Sequence, residues 1–266
     1  MCRMFALLSS ELVPAHRYFR ETEFSLYRQA EAGDQGDGWG IGYYSPEGLT
    51  VHKSERAVYE DPDFDRTVRP IRSDLFIAHV RKASNPKHLP RSELISRVNS
   101  QPFYKSNLLF VHNGTLFIPD QVLATLGERK QLVKGVNDSE VLFAYLLQCI
   151  ESFGSVEKAF GMIEAGLWDI QKRSGGDIDR TPYRGLNIMF SDGKRLYAYE
   201  RYLGDVGKAI CGETPVFQLQ YRLTDSEFVV ASERLTSDVW NPLPNNCLLT
   251  AELAAGKPTI EVKELS

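Results

Sequence analysis

The order of periodicities along the chain constrains its fold most. Strand-like sequence begins almost at the first residue, two consecutive amphipathic helices occupy the middle, and strands return to the end. Phe5-Ala6-Leu7-Leu8, Leu75-Phe76-Ile77-Ala78-His79-Val80 and Leu108-Leu109-Phe110-Val111 are short apolar runs of buried-strand length. A helical stretch over 15–30 is ended by Gly33, and a glycine cluster over 33–42 feeds an aromatic strand at Tyr43-Tyr44. In the middle, Asp138 or Ser139 can cap a helix through Val141-Leu142-Phe143-Ala144-Tyr145-Leu146-Leu147, with Glu140 where the helix dipole favours an acid. Ser155 opens the second helix, whose Val156, Phe160, Ile163, Leu167 and Ile170 step by four and three along one face. Ile188-Met189-Phe190 and Leu196-Tyr197-Ala198-Tyr199 flank Asp192-Gly193, a hairpin signal, and Phe228-Val229-Val230 and Cys247-Leu248-Leu249 add two more strands. Grouped strands and paired helices, without regular βαβ alternation, predict an α+β fold of mainly antiparallel sheets covered by helices. No repeat or Pro/Gly/Ser-rich linker divides the chain, so one domain over residues 1–266 is expected.

Composition narrows the function. Of 266 residues, 42% are hydrophobic and 25% charged, enough for a core and against disorder. A net charge of -4 lacks the basic surplus that nucleic-acid binding needs. The apolar stretch at the N-terminus is too short for a signal or a membrane span. Cys2, Cys149, Cys211 and Cys247 lie far apart, unlike a zinc site or a disulfide scaffold, which fits a reducing, cytoplasmic setting. The five histidines have no metal-ligand spacing, so neither metal nor cofactor is expected. The glycine cluster fails the dinucleotide fingerprint, and no phosphate loop occurs. It is expected to be a loop that brings backbone close to a neighbour, with Trp39 as cover.

Four places can carry chemistry. If Met1 is removed, Cys2 joins a thiol nucleophile to an α-amine whose ordinary pKa of about 7.7–8.0 suits a general base. Taken alone, Cys2 reads first as a small buried residue opening a strand, because free cysteine is commonly buried. Asn113-Gly114 reads either as a two-residue hairpin or as a pair of donors to a developing oxyanion. Arg81 ends a strand, where it is either solvated or clamps a carboxylate with a bidentate fork. Asp138 is either a helix cap or the partner of an ammonium group. His79 and His112, inside apolar strands, are expected to be satisfied core groups.

Six segments in this order resemble the class II, N-terminal-nucleophile glutamine amidotransferases: Met1-Cys2-Arg3, Asp37-Gly38-Trp39-Gly40-Ile41-Gly42, Ala78-His79-Val80-Arg81-Lys82-Ala83-Ser84, Asn99-Ser100-Gln101-Pro102-Phe103, His112-Asn113-Gly114 and Asn137-Asp138-Ser139-Glu140. The segment 37–42 looks most like the stand-alone branch, which includes γ-glutamyl hydrolases. Gln101 departs from the pattern, standing where a histidine often precedes the proline. The resemblance implies a four-layer αββα sandwich of two mainly antiparallel sheets. It implies Cys2 as nucleophile with its amine as base, and Asn113 and Gly114 as oxyanion donors. Arg81 would hold the α-carboxylate of glutamine or a γ-glutamyl compound, Asp138 its ammonium, and Ser84 would line the pocket through its backbone. Any synthase receiving ammonia would be a separate subunit. A non-catalytic binding or regulatory protein on the same fold is the alternative, and a retained Met1 would favour it.

Overall fold

The computed structural model describes residues 1–177, 179–204, 207–210 and 214–265; Cys211 lies outside the described residues. The first third forms β1 (Arg3–Pro14), a helical turn at Arg17–Glu21, α1 (Leu26–Ala32), β2 (Trp39–Ser45), β3 (Gly48–Ser54), α2 (Phe64–Val68) and β4 (Arg72–Val80). Then come α3 (Arg91–Leu94), β5 (Phe103–Lys105), β6 (Leu108–Leu116), α4 (Pro119–Thr125) and the long helices α5 (Asp138–Phe153) and α6 (Val156–Arg173). Strands β7 (Tyr183–Ser191), β8 (Leu196–Glu200), β9 (Gln220–Leu223), β10 (Glu227–Ala231), β11 (Asn241–Pro242), β12 (Cys247–Ala254) and β13 (Lys257–Glu264) complete the order.

These strands form a seven-stranded sheet, β11-β9-β10-β1-β4-β2-β3, and a six-stranded sheet, β13-β12-β8-β7-β6-β5, with antiparallel pairing throughout the described ladders. Side-chain alternation makes the layers. Met4, Ala6 and Leu8 of β1 and Leu75 and Ile77 of β4 face the second sheet, where Leu109, Val111, Met189 and Leu249 meet them. Phe5, Leu7, Phe76, Ala78 and Val80 point the other way, against Tyr18, Phe19, Leu26 and Phe64. The outer face of the second sheet, with Phe110, Ile188, Phe190 and Tyr199, buries against Phe143, Leu146, Phe160, Ile163 and Leu167 of α5 and α6. Each such large side chain contributes about 1.5–3 kcal/mol on burial. The result is the expected αββα sandwich. At Gly42 the two sheets approach so closely that a Cβ would collide with the Leu109 side chain.

Local departures from the sequence expectations have physical causes. The stretch over 15–30 is broken: Thr22 is extended, and Ser25 starts α1 afresh by accepting from the Arg28 amide at 3.4 Å. Asn113-Gly114 is not a hairpin turn. β6 runs through it to Leu116, paired with β7, and the extra residue is absorbed as an irregularity between Gly114 and Thr115. Neither Asp138 nor Ser139 caps α5; Asn137 does, accepting from the Ser139 amide at 2.9 Å, which leaves the Asp138 carboxylate free for other partners. Trp39 does not cover a loop. It is buried in the outer core and donates to Asp61 at 2.9 Å.

One buried acid sets a pH dependence for the fold. Glu200, at the end of β8, is fully buried; one carboxyl oxygen accepts the Leu219 amide at 2.7 Å, and Oε1 has no partner among the described residues. Burial pushes its pKa from 4.5 up to about 9, against the smaller opposing effect of the Leu219 bond. Between those values the unfolded chain releases a proton that the fold retains. The part of the stability that depends on this group is therefore fully present below pH 4.5 and is lost as pH rises toward 9, with a limiting slope of ~1.4 kcal/mol per pH unit. Glu200→Gln keeps a neutral acceptor for Leu219 and should flatten this decline. Urea denaturation of both proteins from pH 5 to 9 checks it, and parallel curves would contradict it.

Candidate active site

Cys2 precedes β1, and its place is set by the residue after it. Arg3 is 2% exposed; its Nε donates to Glu233 at 2.7 Å and its Nη1 to the Cys2 carbonyl at 2.9 Å. Met4 extends this anchor through its amide to the Ser232 hydroxyl, at 3.2 Å, and its carbonyl from the Ser232 amide, at 2.9 Å. Antiparallel pairing of Arg3 with Val80 then carries Cys2 to the loop after β4. There the thiol donates to the Lys82 carbonyl at 3.3 Å and receives the Lys82 amide at 3.4 Å. Burial raises the thiol pKa, and Asp138 adds to that; the Lys82 amide, the N-terminal ammonium and Arg81 oppose it. The resting group is thus a thiol, so nucleophilic attack requires a base to take its proton. Burial also lowers the pKa of the Met1 ammonium, helped by Arg3, Lys82 and Arg184 and opposed by Cys2.

The glycine cluster holds the loop after β4 in shape. Gly38, at φ +126, accepts the Arg81 amide at 2.8 Å, and the Asp37 amide donates to the Arg81 carbonyl at 3.0 Å. Asp37 receives the Ala83 amide at 2.8 Å and the Arg91 guanidinium at 2.5 Å. Arg81 itself is 3% exposed and donates to the Leu94 carbonyl at 2.9 Å. Burial lowers its pKa, while Cys2, Asp37 and Asp138 favour its charge. Asp138, 2% exposed, receives the Ser84 hydroxyl at 2.9 Å and the Leu116 amide at 2.7 Å. The Ser84 side chain is thus engaged with Asp138, in addition to the backbone contribution expected from the sequence. That one carboxylate joins the ends of β4 and β6, and both Asp138 and Arg81 act electrostatically on the Cys2 thiol.

Asn113 belongs to the same end of β6. Its position alternates with those of Leu109 and Val111, so it shares their face toward the first sheet. It is 1% exposed, and its side-chain Nδ2 has no acceptor among the described residues. A buried amide donor left without a protein partner is costly and calls for an explanation. Gly114 admits no side chain, because a Cβ there would collide with the Gly185 carbonyl and lie 2.6 Å from the His112 ring. His112 is satisfied, by Ser139 at 2.9 Å and the Gly185 carbonyl at 3.1 Å. His79 is not. Neither of its ring nitrogens has a partner among the described residues, and burial together with Arg81 pushes its pKa down to about 3, leaving it neutral. Gln101 has a structural role: its side-chain amide pairs with both the His112 amide, at 2.7 Å, and the His112 carbonyl, at 3.0 Å.

Sequence reasoning brings Cys2, Arg81, Ser84, Asn113, Gly114 and Asp138 forward but not Arg3, Glu233 or Asp37. Arg3 and Glu233 lie 230 positions apart, and only tertiary pairing unites them. Asp37 carried a signal, since an acid inside a glycine cluster is well placed to bind backbone amides. Among the described residues, no group of three or more His, Cys, Asp or Glu could hold a metal, and no helix is long and apolar enough to cross a membrane.

Comparison with known proteins shows the family and the fold. The profile described as "Glutamine amidotransferases class-II" matches residues 1–252. The chain belongs to that family, whose chemistry is hydrolysis or transfer of the glutamine amide. It is 30% identical over 237 residues to an uncharacterised protein of Methanocaldococcus jannaschii, a match covering 81% of this chain and 61% of that protein. Among solved structures, a glutamine aminotransferase class-II domain protein from Silicibacter pomeroyi superposes with a TM-score of 0.67 at 22% identity, covering 100% of both chains. The glutamine phosphoribosylpyrophosphate amidotransferase of B. subtilis gives 0.64 at 17% identity, covering 100% of this chain and 49% of that one. At these identities the structural matches establish a shared fold.

Proposed function

We propose that the chain, after loss of Met1, hydrolyses the γ-amide of glutamine or of a γ-glutamyl compound through a thioester on Cys2, with residues 1–266 acting as one domain. The observation that carries this reading is the meeting of a resting thiol, a buried guanidinium and a buried carboxylate where two strands end, one strand bearing an amide donor without a partner. A zwitterionic amino-acid end needs one fixed cation and one fixed anion, which Arg81 and Asp138 supply. With Met1 gone, the Cys2 amine takes the thiol proton and the sulfur attacks the γ-carbonyl carbon. Charge gathers on the carbonyl oxygen, where Asn113 and Gly114 donate. The C–N bond breaks as the amine returns its proton to the leaving nitrogen. Water then attacks the thioester, releasing glutamate and restoring the thiol.

Protein beginning at Cys2 should convert glutamine or a γ-glutamyl amide to glutamate without any partner. Turnover only when a synthase is added would make the chain an ammonia-supplying subunit instead. A second reading, a non-catalytic protein on this fold, draws support from how Met1 is held. Its carbonyl accepts from the Gln35 side chain at 3.0 Å, and its side chain packs on Val216 and Phe217. Intact mass of the protein from its native host distinguishes the two, because a retained Met1 blocks the amine.

A further inference from the structure

Where Met1 sits indicates what the active site accepts. Its side chain rests on a small apolar cluster of Val216 and Phe217, with Tyr202 packed alongside. The Tyr202 and Phe217 rings are stacked, 6.2 Å between centroids and 23° between planes. Phe217 is 1% exposed, and Tyr202 is half-buried, its backbone pinned by two hydrogen bonds to Asn245 at 3.1 and 3.0 Å.

This seat is tied to the reacting centre from two sides. Met1 is bonded to the Cys2 nitrogen, so its side chain marks the space within one residue's reach of the proposed base. From the other side, the Phe217 ring packs on Gly185, where a Cβ would lie 2.9 Å from it, and the Gly185 carbonyl is the group that excludes a side chain at Gly114. The Phe217 carbonyl is held by the side chain of Asn187, which pairs with Asn113 across β6 and β7. The apolar seat therefore lies beside both the proposed proton donor and the proposed oxyanion donors.

The chemistry then fixes which half of a substrate enters it. The Cys2 amine must protonate the leaving nitrogen, so the leaving half lies against that amine, where Met1 lay. Arg81 and Asp138 address only the glutamyl half. We propose that Val216, Phe217 and Tyr202 form a leaving-group subsite, selecting γ-glutamyl dipeptides whose second residue is aromatic or large and apolar over glutamine and over γ-glutamylglycine. The bond broken is the γ-glutamyl C–N bond, its nitrogen taking the thiol proton by way of the Cys2 amine, and water supplies the OH of glutamate and the proton that restores the thiol.

This inference rests on the hydrolytic reading above. The test uses protein beginning at Cys2, released from an N-terminal fusion, with γ-glutamylphenylalanine, γ-glutamylglycine and glutamine as substrates. The expected kcat/KM for γ-glutamylphenylalanine exceeds that for γ-glutamylglycine by about tenfold or more. Tyr202→Ala, and separately Phe217→Leu in case the first variant folds poorly, should shrink that ratio severalfold. A ratio near one in the parent protein, or a ratio that neither variant alters, overturns the subsite while leaving γ-amide hydrolysis standing. Failure to hydrolyse all three substrates overturns both.

Discussion

Cys2→Ala is expected to abolish the release of ammonia from glutamine, by a factor on the order of 10⁴ to 10⁶, and to leave the fold intact. The remaining described cysteines cannot replace it. Cys149 lies in the helix-side core, with its pKa pushed up to about 11 by burial, and Cys247 is 5% exposed in the core between the sheets. The structural cost is about 1 kcal/mol, because the alanine loses only the two weak sulfur contacts to Lys82. Ammonia assay and circular dichroism together decide the matter. Unchanged ammonia release in a folded variant would eliminate the thioester mechanism.

The second large effect is at Asn113. Asn113→Ala should lower kcat by about 10² to 10³, the measured range for loss of one oxyanion donor, with much less change in KM. Stability separates this role from a structural one. Because the Asn113 Nδ2 has no acceptor among the described residues, its removal breaks no donor bond, and the thermal midpoint should fall little. A structural asparagine would show the reverse, a lower midpoint with kcat retained. Gly114→Ala is less informative, since the Gly185 carbonyl would be displaced whatever the chemistry.

Much of the architecture is legible in the sequence because local patterns and tertiary packing agree. Alternation around Phe5 and Leu7, the helix face of Phe160, Ile163 and Leu167, and the turn at Asp192-Gly193 all specify what the fold adopts. Legibility fails where a long-range demand outweighs a local preference. Asn113-Gly114 carries a strong turn signal, yet β7 offers pairing partners as far as Tyr183, and the ladder prevails. Asp138 is a good helix cap by type, but Asn137 takes that work and Asp138 joins two strand ends. The Arg3–Glu233 pair that fixes the backbone next to Cys2 is invisible to any local window. His79 looks like a satisfied core residue, and only the fold shows both its nitrogens without partners among the described residues.

The central claim is that the sulfur of Cys2, next to a free amine on the same residue, carries the γ-glutamyl group. The most direct measurement is mass spectrometry of protein beginning at Cys2, quenched with acid during turnover of a γ-glutamyl substrate and digested. The account predicts one γ-glutamyl increment on the N-terminal peptide, removed by hydroxylamine and absent from Cys2→Ala protein under the same treatment. Turnover with no such adduct, or with the adduct on Cys149 or Cys247, would contradict it.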